Sequence, residues 1–364
     1  MSLVIQGIGT ATPPWQITQA DAALLAIDFA NAEAGRERTL TALYRQTRIR
    51  TRGSVLLEGL DGINCSQTFY PPATETYSAG PTTGERMARY AREAGPLATA
   101  ASRAALHEAR VASHAITHLV TCSCTGFTNP GVDLELISVL GLPVTVARTH
   151  VGFMGCHGAF NALRVAGAFA AADPAAVVLV VCVELCSLHF QYGTRGDHVV
   201  ANSIFADGAA AIVAASGPLG PHDCCQLVGQ RSQVLPDSTE QMGWLIGDHG
   251  FEMTLSPQVP NEIAVHLPVA IDDVLRAEGL TRDDVAAWAV HPGGPRILTA
   301  VGETLGLSKE DLRHSQGVLV DHGNMSSATI LFILARLAQE RRQGPCVAMA
   351  FGPGLTAEVA LLRF

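Results

Sequence analysis

Residues 155–184 read GCHGAFNALRVAGAFAAADPAAVVLVVCVE, and most of the fold prediction rests on them. The alanine-rich part predicts a buried helix that begins at Cys156 and ends at Asp173-Pro174, because proline does not continue a helix. The valine-rich part, residues 176–184, is a continuous apolar run that is typical of a strand covered on both faces. A buried helix followed by such a strand indicates a layered α/β protein.

The rest of the chain extends this pattern into two similar α/β halves. Strand-like runs occupy residues 4–8, 118–122, 226–234, 286–290, 346–350 and 355–362, and helical patterns occupy residues 19–34, 133–140, 261–278, 295–305 and 324–339. Thr82 and Glu85 form a capping box for a long helix, which we expect to be interrupted near Gly95-Pro96. A composition shift at residues 216–223 divides the chain, so we expect halves at residues 1–218 and 219–364.

Composition restricts the class of protein. The chain has 364 residues, of which 48% are hydrophobic and 16% charged, so we expect a large core and a large subunit interface. The net charge of −9 argues against nucleic acid or an acidic membrane as a partner. The nine cysteines lack metal-ligand spacing, and we find neither a secretory signal nor a membrane span. These features predict a cytoplasmic protein with free thiols and no metal site.

Cys156 is the first candidate for chemistry. The unpaired N–H groups and the positive dipole end at the start of a helix favour a thiolate over a thiol. We therefore expect a pKa for Cys156 well below the free value of about 8.5. Gly155 and Gly158 allow an acyl group to approach the sulfur closely. This pattern predicts an enzyme that carries its substrate as a thioester on Cys156, whereas the adjacent His157 faces another way and is interpreted as a structural residue.

Two further residues at element ends match the needs of a cysteine nucleophile. His291 follows the apolar strand at residues 286–290 and precedes Pro292, so its imidazole lies where a strand meets a rigid turn and is a candidate proton acceptor. Asn324 lies immediately before an apolar helix, where a side-chain amide can donate to a developing oxyanion. The order Cys156, His291, Asn324, each at an element end with glycine nearby, favours a catalytic triad over three unrelated structural residues.

Four short motifs are similar to those of a known protein family. They are GC at 155–156, HPGGP at 291–295, GNMSSA at 323–328 and FGPGLT at 351–356. Together they resemble the type III polyketide synthases, the chalcone and stilbene synthase family, over nearly the whole chain. The stretches TCSCTG at 121–126 and VELCSL at 183–188 are more similar to bacterial than to plant members.

The resemblance implies a thiolase-like five-layered αβαβα fold, a homodimer, and a catalytic triad of Cys156, His291 and Asn324. It implies that the protein loads an acyl-CoA starter on Cys156 and extends it by decarboxylative condensation with malonyl-CoA or a close relative. The product then cyclises to a pyrone, a resorcinol or a related ring. The substrates are CoA thioesters, with neither an acyl carrier protein nor a bound cofactor.

The resemblance also assigns pocket residues. Phe205 matches the family's gatekeeping phenylalanine, and Met253 replaces a second one, so a flexible thioether there alters the shape of the pocket. Further substrate-pocket positions are Cys124, Thr125, Leu188, Trp244 and Ser326. The lysines that hold CoA in plant enzymes lack clear equivalents, and Arg45, Arg48 and Arg296 are the expected replacements. Gly352, Pro353 and Gly354 form the expected loop beside the cyclisation pocket.

Three other functions fit part of the pattern. A ketoacyl-ACP synthase III-like condensing enzyme shares the fold and the triad, but we expect it to lack the motifs at 323–328 and 351–356. A papain-type hydrolase also has the order Cys, His, Asn, but its local cysteine signature is absent here. A non-catalytic scaffold of the same fold would have lost the triad, and all three members are present.

Overall fold

The computed structural model describes residues 3–30, 36–60, 64–74, 77–341 and 343–364. The end of the helix expected at residues 19–34 therefore lies outside the described residues. The strands are β1 (Leu3–Ala11), β2 (Gln16–Thr18), β3 (Thr51–Gly53), β4 (Glu58–Leu60), β5 (Asn64–Ser66), β6 (His118–Ser123), β7 (Ala147–Gly152), β8 (Val177–Leu185), β9 (Asp207–Ser216), β10 (Cys225–Val234), β11 (Met242–Gly247), β12 (Gly250–Leu255), β13 (Ala287–Val290), β14 (Pro345–Gly352) and β15 (Thr356–Arg363). The helices are α1 (Gln19–Ala30), α2 (Arg36–Gln46), α3 (Thr83–Ala109), α4 (Val132–Leu140), α5 (Gly158–Ala172), α6 (Gly196–Ile204), α7 (Val259–Ala277), α8 (Pro295–Leu305), α9 (Arg313–His322) and α10 (Thr329–Gln339).

Nine strands form one sheet in the order β13-β14-β15-β10-β1-β9-β8-β6-β7. The two halves of this order repeat the same topology, because β1, β6, β8 and β9 correspond to β10, β13, β14 and β15. In each half the first strand lies antiparallel to the last one, β1 to β9 and β10 to β15. In each half the two middle strands are parallel, β6 to β8 and β13 to β14. The antiparallel pair of β1 and β10 joins the halves.

Three apolar clusters show how helices cover this sheet. Residues of α5 and α10 share one core with strands of both halves. Helices α3 and α4 pack on the outer face of the first half, and α7 and α8 pack on the outer face of the second. The two halves of the continuous sheet therefore form separate layers, and the order is helix, half-sheet, helix, half-sheet, helix. The valine-rich strand β8 is buried along nearly its whole length, as its composition predicts.

Three helices differ from the sequence prediction at their ends or middle. Helix α3 runs without interruption through Pro96, because its packing against β1 and β9 outweighs the one backbone hydrogen bond that proline removes. Cys156 precedes α5 in a 3-10 turn, Gly155–His157, and α10 follows a similar turn at Ser326–Ala328. Within the described ranges, every helix is too short or too polar to cross a bilayer.

Candidate active site

Cys156 lies in the 3-10 turn between β7 and α5. Gly155 has a φ of +69°, which favours glycine, and a Cβ atom there would lie 2.4 Å from Cδ of Pro353. Glycine at this position therefore lets the loop at residues 352–354 close over the turn. Cys156 itself is 8% exposed, so its sulfur faces an internal space rather than bulk solvent.

Asn324 approaches the sulfur from the other half of the chain. Its Nδ2 lies 3.9 Å and its Oδ1 lies 4.0 Å from Sγ of Cys156. The backbone N–H of Ser326 donates to Oδ1 at 2.8 Å, which fixes the amide and leaves Nδ2 as the donor toward the sulfur. The Asn324 backbone also forms a bridge with Phe205, in which Ala206 N donates to Asn324 O at 2.9 Å. The amide is thus held in a fixed orientation from both sides.

His291 follows β13, as the sequence predicts, and its backbone N–H donates to Met349 O at 2.9 Å. The side chain is 1% exposed, and neither ring nitrogen has a hydrogen-bond partner among the described residues. Burial, with a smaller contribution from the charge of His157, lowers the pKa of His291 to about 3. A neutral imidazole with two unsatisfied nitrogens has one N–H donor and one nitrogen acceptor free for a substrate.

The pKa of Cys156 is shifted in the opposite direction to the sequence prediction. Burial raises it to about 11, although hydrogen bonds from Ser326 and Asn324 lower it and the nearby Glu184 carboxylate raises it further. The prediction considered only the start of the helix. Removing the thiolate from water costs more free energy than its interactions with the turn provide. The resting site therefore holds a neutral thiol and a neutral imidazole.

A chamber of about 340 Å³, including the space at its mouth, adjoins Cys156. Its lining includes the predicted pocket residues Cys124, Thr125, Phe205, Trp244, Met253, Ser326 and Pro353, together with Cys186 and Met242, which the sequence analysis did not select. Gly352 and Gly354 flank Pro353 in the loop that closes this chamber. Trp244 and Met253 are paired across β11 and β12, and the Trp244 indole donates to Cys124 O at 2.7 Å.

A larger cavity of about 850 Å³, including the space at its mouth, adjoins the chamber. Cys186, Phe205, Trp244 and Met253 line both spaces. Side chains of α1 and aromatic rings, such as Phe29, give the large cavity a mainly apolar wall. These four side chains therefore lie between the two spaces. The combined shape provides a small reaction chamber with room for an apolar chain beside it.

Leu188 does not line either space, since it lies fully buried in the core beneath α3. The neighbouring His189 lines the large cavity instead, and its ring stacks on Phe251 with centroids 4.1 Å apart. His189 Nε2 lies 2.6 Å from Thr125 O, and Nδ1 accepts from Phe251 N at 3.0 Å. Burial lowers the pKa of His189 to about 3. In the 3-10 turn Cys186–His189 that follows β8, it is His189 rather than Leu188 that faces the large cavity.

The three arginines that the sequence assigns to CoA are all exposed and lie outside both cavity linings. Arg45 ends α2, Arg48 follows it with a φ of +58°, and Arg296 donates to Pro257 O at 3.4 Å. The structure therefore does not bring them together with the sulfur. Exposed guanidinium groups of this kind are suited to phosphate rather than to the acyl part of a substrate.

Glu184 is a buried residue of the site that the sequence analysis did not select. It lies at the end of β8, where it accepts hydrogen bonds from Ser327 Oγ, from Thr125 Oγ1 at 2.7 Å and from Cys124 N at 3.0 Å. Burial raises its pKa, and these hydrogen bonds lower it in part. Through these hydrogen bonds Glu184 holds the loop at Cys124 and Thr125 and the turn at Ser327 against the sheet. Glu184 belongs to the stretch at 183–188, but its contacts with Cys124, Thr125 and Ser327 are visible only in three dimensions.

The described residues contain no group of three or more His, Cys, Asp or Glu side chains arranged to hold a metal ion. The side chains that the fold demonstrably brings together are the thiol of Cys156 and the amide of Asn324.

Comparison with known proteins agrees with this geometry. Residues 2–218 match the model of the N-terminal domain of chalcone and stilbene synthases, and residues 226–364 match the model of the C-terminal domain. An "alpha-pyrone synthesis polyketide synthase-like" protein of Mycobacterium tuberculosis is 34% identical, covering 98% of this chain and 89% of the relative. A 3,5-dihydroxyphenylacetyl-CoA synthase of Streptomyces toyocaensis is 32% identical, covering 82% of this chain and 78% of the relative.

Among solved structures, PKS-I from the brown alga Ectocarpus siliculosus is similar with a TM-score of 0.93 and 32% identity. The similarity covers 100% of this chain and 98% of the algal one, and it confirms the thiolase-like fold. These matches do not support the carrier-protein-dependent synthase, the papain-type hydrolase or the scaffold. The chain belongs to the chalcone and stilbene synthase family and is a type III polyketide synthase, an acyltransferase that acts by decarboxylating condensation.

Proposed function

We propose that this enzyme loads an apolar acyl group from acyl-CoA on Cys156, extends it with malonyl-CoA or a close relative, and releases a pyrone or resorcinol-like ring. The observation that carries the proposal is the chamber in which the Cys156 sulfur meets the Asn324 amide and which continues into a mainly apolar cavity. An acyl chain gains about 0.8 kcal/mol for each methylene that such a cavity removes from water.

In the loading step, Sγ of Cys156 attacks the thioester carbonyl carbon of the starter while its proton passes to His291. The CoA sulfur leaves and takes this proton, so the acyl group remains on the protein as a thioester. Both groups are neutral at rest because burial raises the pKa of the thiol and lowers that of the imidazole. Proton transfer during the attack avoids a separate buried ion pair, whose desolvation is costly.

In the extension step, the C–C bond to the malonyl carboxylate breaks, CO₂ leaves, and the electron pair forms an enolate. Asn324 Nδ2 and the His291 ring donate hydrogen bonds to the enolate oxygen, each worth on the order of 3 kcal/mol in a site closed to water. Phe205, beside Asn324 in the backbone bridge, gives the carboxylate an apolar neighbour and so favours its loss as neutral CO₂. The enolate carbon then attacks the acyl carbonyl on Cys156 and releases the thiolate.

Phe205, Met253, Cys124, Thr125, Ser326 and Trp244 shape the product in this proposal, and the loop Gly352, Pro353, Gly354 bounds the cyclisation space. Arg45, Arg48 and Arg296 are proposed to bind CoA phosphates at the surface, since all three are exposed cations. The substrates are CoA thioesters used without an acyl carrier protein or a resident cofactor. The proposed boundary between the halves lies at residues 218 and 219, between β9 and β10.

We also propose a homodimer that works in the cytoplasm. Strand β7 lies at an edge of the sheet, and Phe127, Leu134 and Met154, in the segment around it, are exposed apolar side chains. A surface of this kind supports a subunit interface. Light scattering after size-exclusion chromatography tests the dimer, and a monomeric mass at micromolar concentration would overturn it.

The direct test of the function is a panel of acyl-CoA starters, from hexanoyl to hexadecanoyl and including aromatic ones, incubated with malonyl-CoA. Mass spectrometry of the intact protein reports loading, and mass spectrometry of the small molecules reports products. We expect an acyl adduct on Cys156 and a pyrone or resorcinol from aliphatic starters. Absence of any adduct, or strict dependence on a carrier protein, would refute the proposal.

A further inference from the structure

The end of α6 determines where Phe205 lies, because Phe205 lines the chamber and immediately follows this helix. The last carbonyl groups of a helix have no partner within it, so other segments must supply the donors. Ile204 O accepts from Asn324 N at 2.8 Å, and Ser203 O accepts from Gln19 Nε2 at 2.7 Å. The helix end is therefore fixed from outside, in part by the backbone of Asn324.

Arg52 supplies further donors at this helix end. Its Nη1 donates to Asn202 O at 2.8 Å and to Phe205 O at 2.6 Å. A guanidinium group at the C-terminus of a helix satisfies free carbonyl groups and is attracted by the negative end of the helix dipole. One nitrogen atom thus holds the last turn of α6 and the backbone of Phe205 in a fixed relation.

The same side chain contacts the segment that leads to Asn324. Gly323 has a φ of +73°, and a Cβ atom there would lie 3.1 Å from both Cγ and Cδ of Arg52. Glycine therefore lets the aliphatic part of Arg52 pack directly against this backbone. The next residue, Asn324, forms the backbone bridge with Phe205. Arg52 thus contacts both of the segments that are joined in this bridge.

Strand β3 and an aromatic ring fix the position of Arg52 itself. Arg52 is paired with Ile17 across β2 and β3, and its guanidinium carbon lies 5.7 Å from the centroid of the Tyr44 ring. Tyr44 is buried, so its ring offers the cation a face that does not move. The neighbouring Thr51 Oγ1 donates to Asp321 O at 3.0 Å, which attaches β3 to the end of α9. The donor at the end of α6 is therefore held in place before any substrate binds.

The influence of Arg52 on the malonyl group is indirect. Arg52 lines the large cavity but not the chamber beside Cys156, where the proposed function places the malonyl group. Without its hydrogen bonds, two carbonyl groups lose their donor, and the end of α6 is free to shift together with the bridge. A displacement of about 1 Å in a catalytic site can lower the rate on the order of 10²-fold.

We propose that Arg52 is a positioning residue for decarboxylation, which sets the places of the Phe205 ring and the Asn324 amide by holding the end of α6. The inference rests on the proposed function, which assigns the malonyl group to these two side chains. It adds a residue that lies outside the chamber and takes no chemical part in the reaction. Acyl loading on Cys156 should depend on Arg52 much less than decarboxylation does.

The first experiment measures CO₂ release from malonyl-CoA and adduct formation with hexanoyl-CoA in separate assays. Arg52→Met should lower kcat for CO₂ release by about 10- to 100-fold, because both groups that act on the malonyl unit are displaced. The KM for malonyl-CoA should change by less than about twofold, and the loading rate should stay within about threefold of the natural one. Arg52→Lys should show a similar loss of CO₂ release, since an ammonium group on a shorter side chain does not reach both carbonyl oxygens.

Arg282→Met is the matched control. Arg282 also donates to a backbone carbonyl oxygen, that of Pro268 at 3.2 Å, and it forms an ion pair with Asp272 at 2.7 Å. It lines neither the chamber nor the large cavity. We expect this variant to release CO₂ at the natural rate. Urea titrations identify conditions in which every variant is folded, and the rates are compared under those conditions.

A double-mutant cycle tests whether Arg52 acts through the amide. In an Asn324→Ala background, Arg52→Met should lower CO₂ release by only about threefold or less, because the donor that it misplaces is already absent. A loss in this background as large as that in the natural chain would show that the two residues act independently. That result would overturn the inference.

The outcomes separate this inference from the proposed function. If the natural chain neither forms an adduct nor releases CO₂, the proposed function fails and the inference fails with it. If the natural chain does both, and folded Arg52→Met or Arg52→Lys releases CO₂ at the natural rate, only the inference is overturned. Equal losses of loading and decarboxylation would also overturn it, because a general structural defect affects both steps. If Arg52→Met does not fold, the milder Arg52→Lys decides between these results.

Discussion

The turn that bears Cys156 and the turn that follows Asn324 occupy equivalent places in the two halves. Each is a 3-10 turn, Gly155–His157 or Ser326–Ala328, and each is followed by a buried helix, α5 or α10, that leads into a middle strand of its half. Each contains a residue with positive φ, Gly155 at +69° and Ser326 at +47°. The repeated topology therefore brings two equivalent helix starts to one chamber.

The two turns differ in what they present to that chamber. The first uses glycine at the positive φ, so that the loop with Pro353 packs directly on it, and it presents a thiol. The second places a serine there, whose hydroxyl lies 3.1 Å from Cys124 Sγ, and it fixes the amide of Asn324 just before the turn. In the proposed function, one half provides the nucleophile and the other provides hydrogen-bond donors. The following predictions test this division.

The largest effect is expected for Cys156→Ala. Removal of the sulfur leaves no atom to carry the starter, so acyl adducts should disappear and product formation should fall by on the order of 10³-fold or more. Intact-protein mass spectrometry and product assays measure the two quantities. Cys224→Ala, at a half-buried cysteine outside the chamber, should retain both activities. An acyl adduct that persists in Cys156→Ala would assign the nucleophile elsewhere.

The next effect concerns the donor half. Asn324→Ala removes the Nδ2 donor and should lower malonyl-CoA decarboxylation by about 10²- to 10³-fold, because the enolate oxygen loses one of its hydrogen bonds. Acyl loading should decrease much less than decarboxylation. Release of CO₂ and adduct formation are measured separately. Asn161→Ala, on α5 outside the chamber, is the matched control, and equal losses of both steps in Asn324→Ala would contradict the division of roles.

A smaller effect, on stability, tests the two positive-φ positions. Gly155→Ala should lower the free energy of unfolding by about 2 kcal/mol, since the new Cβ meets both a left-handed backbone and the Pro353 ring. Ser326→Gly removes a Cβ from a positive φ and should cost less. Gly167→Ala, inside α5 with open space around its Cβ, should instead stabilise by about 0.5–1 kcal/mol. Urea titrations measure all three variants.

The smallest effect is a pH dependence that belongs to the second half. Because the pKa of His291 is lowered to about 3, the unfolded chain binds a proton below pH 6.5 that the folded chain does not bind. Stability should therefore fall as the pH decreases from 6.5 toward 3, by up to about 1.4 kcal/mol per pH unit for this group. His291→Gln should reduce the loss between pH 6 and pH 5 by about 1 kcal/mol, and an unchanged slope would contradict the buried neutral imidazole.

Apolar periodicity was sufficient to predict the elements that form the core. Helix α8 was predicted at 295–305 and lies at Pro295–Leu305, and β8 lies within one residue of its prediction at both ends. Strand β7 was missed because it is a partly exposed edge strand with polar residues and no apolar run. The hairpin of β11 and β12 was missed because its strands pair only with each other. Its sequence therefore contains no long apolar run of the kind that marks a buried strand.

The site was predictable where glycine-flanked motifs mark it and unpredictable where only three-dimensional burial matters. Cys156 and Asn324 were selected from local sequence, and the structure brings their side chains together. The direction of the Cys156 pKa shift was not predictable, because a helix start is visible in sequence but the loss of solvent around it is not. Glu184 lies in the stretch at 183–188, but the stretch does not show its role, and the contacts of Glu184 and His189 are with distant segments.

The backbone bridge between Phe205 and Asn324 limits the motion of the two halves relative to each other. Asn324 N donates to Ile204 O and Ala206 N donates to Asn324 O, so the two halves are joined by main-chain hydrogen bonds at the reaction chamber itself. A motion that opens the two halves would break these hydrogen bonds and would also displace the side-chain amide of Asn324. We therefore expect substrates to enter and products to leave through local side-chain rearrangements, while the two halves keep their relative position.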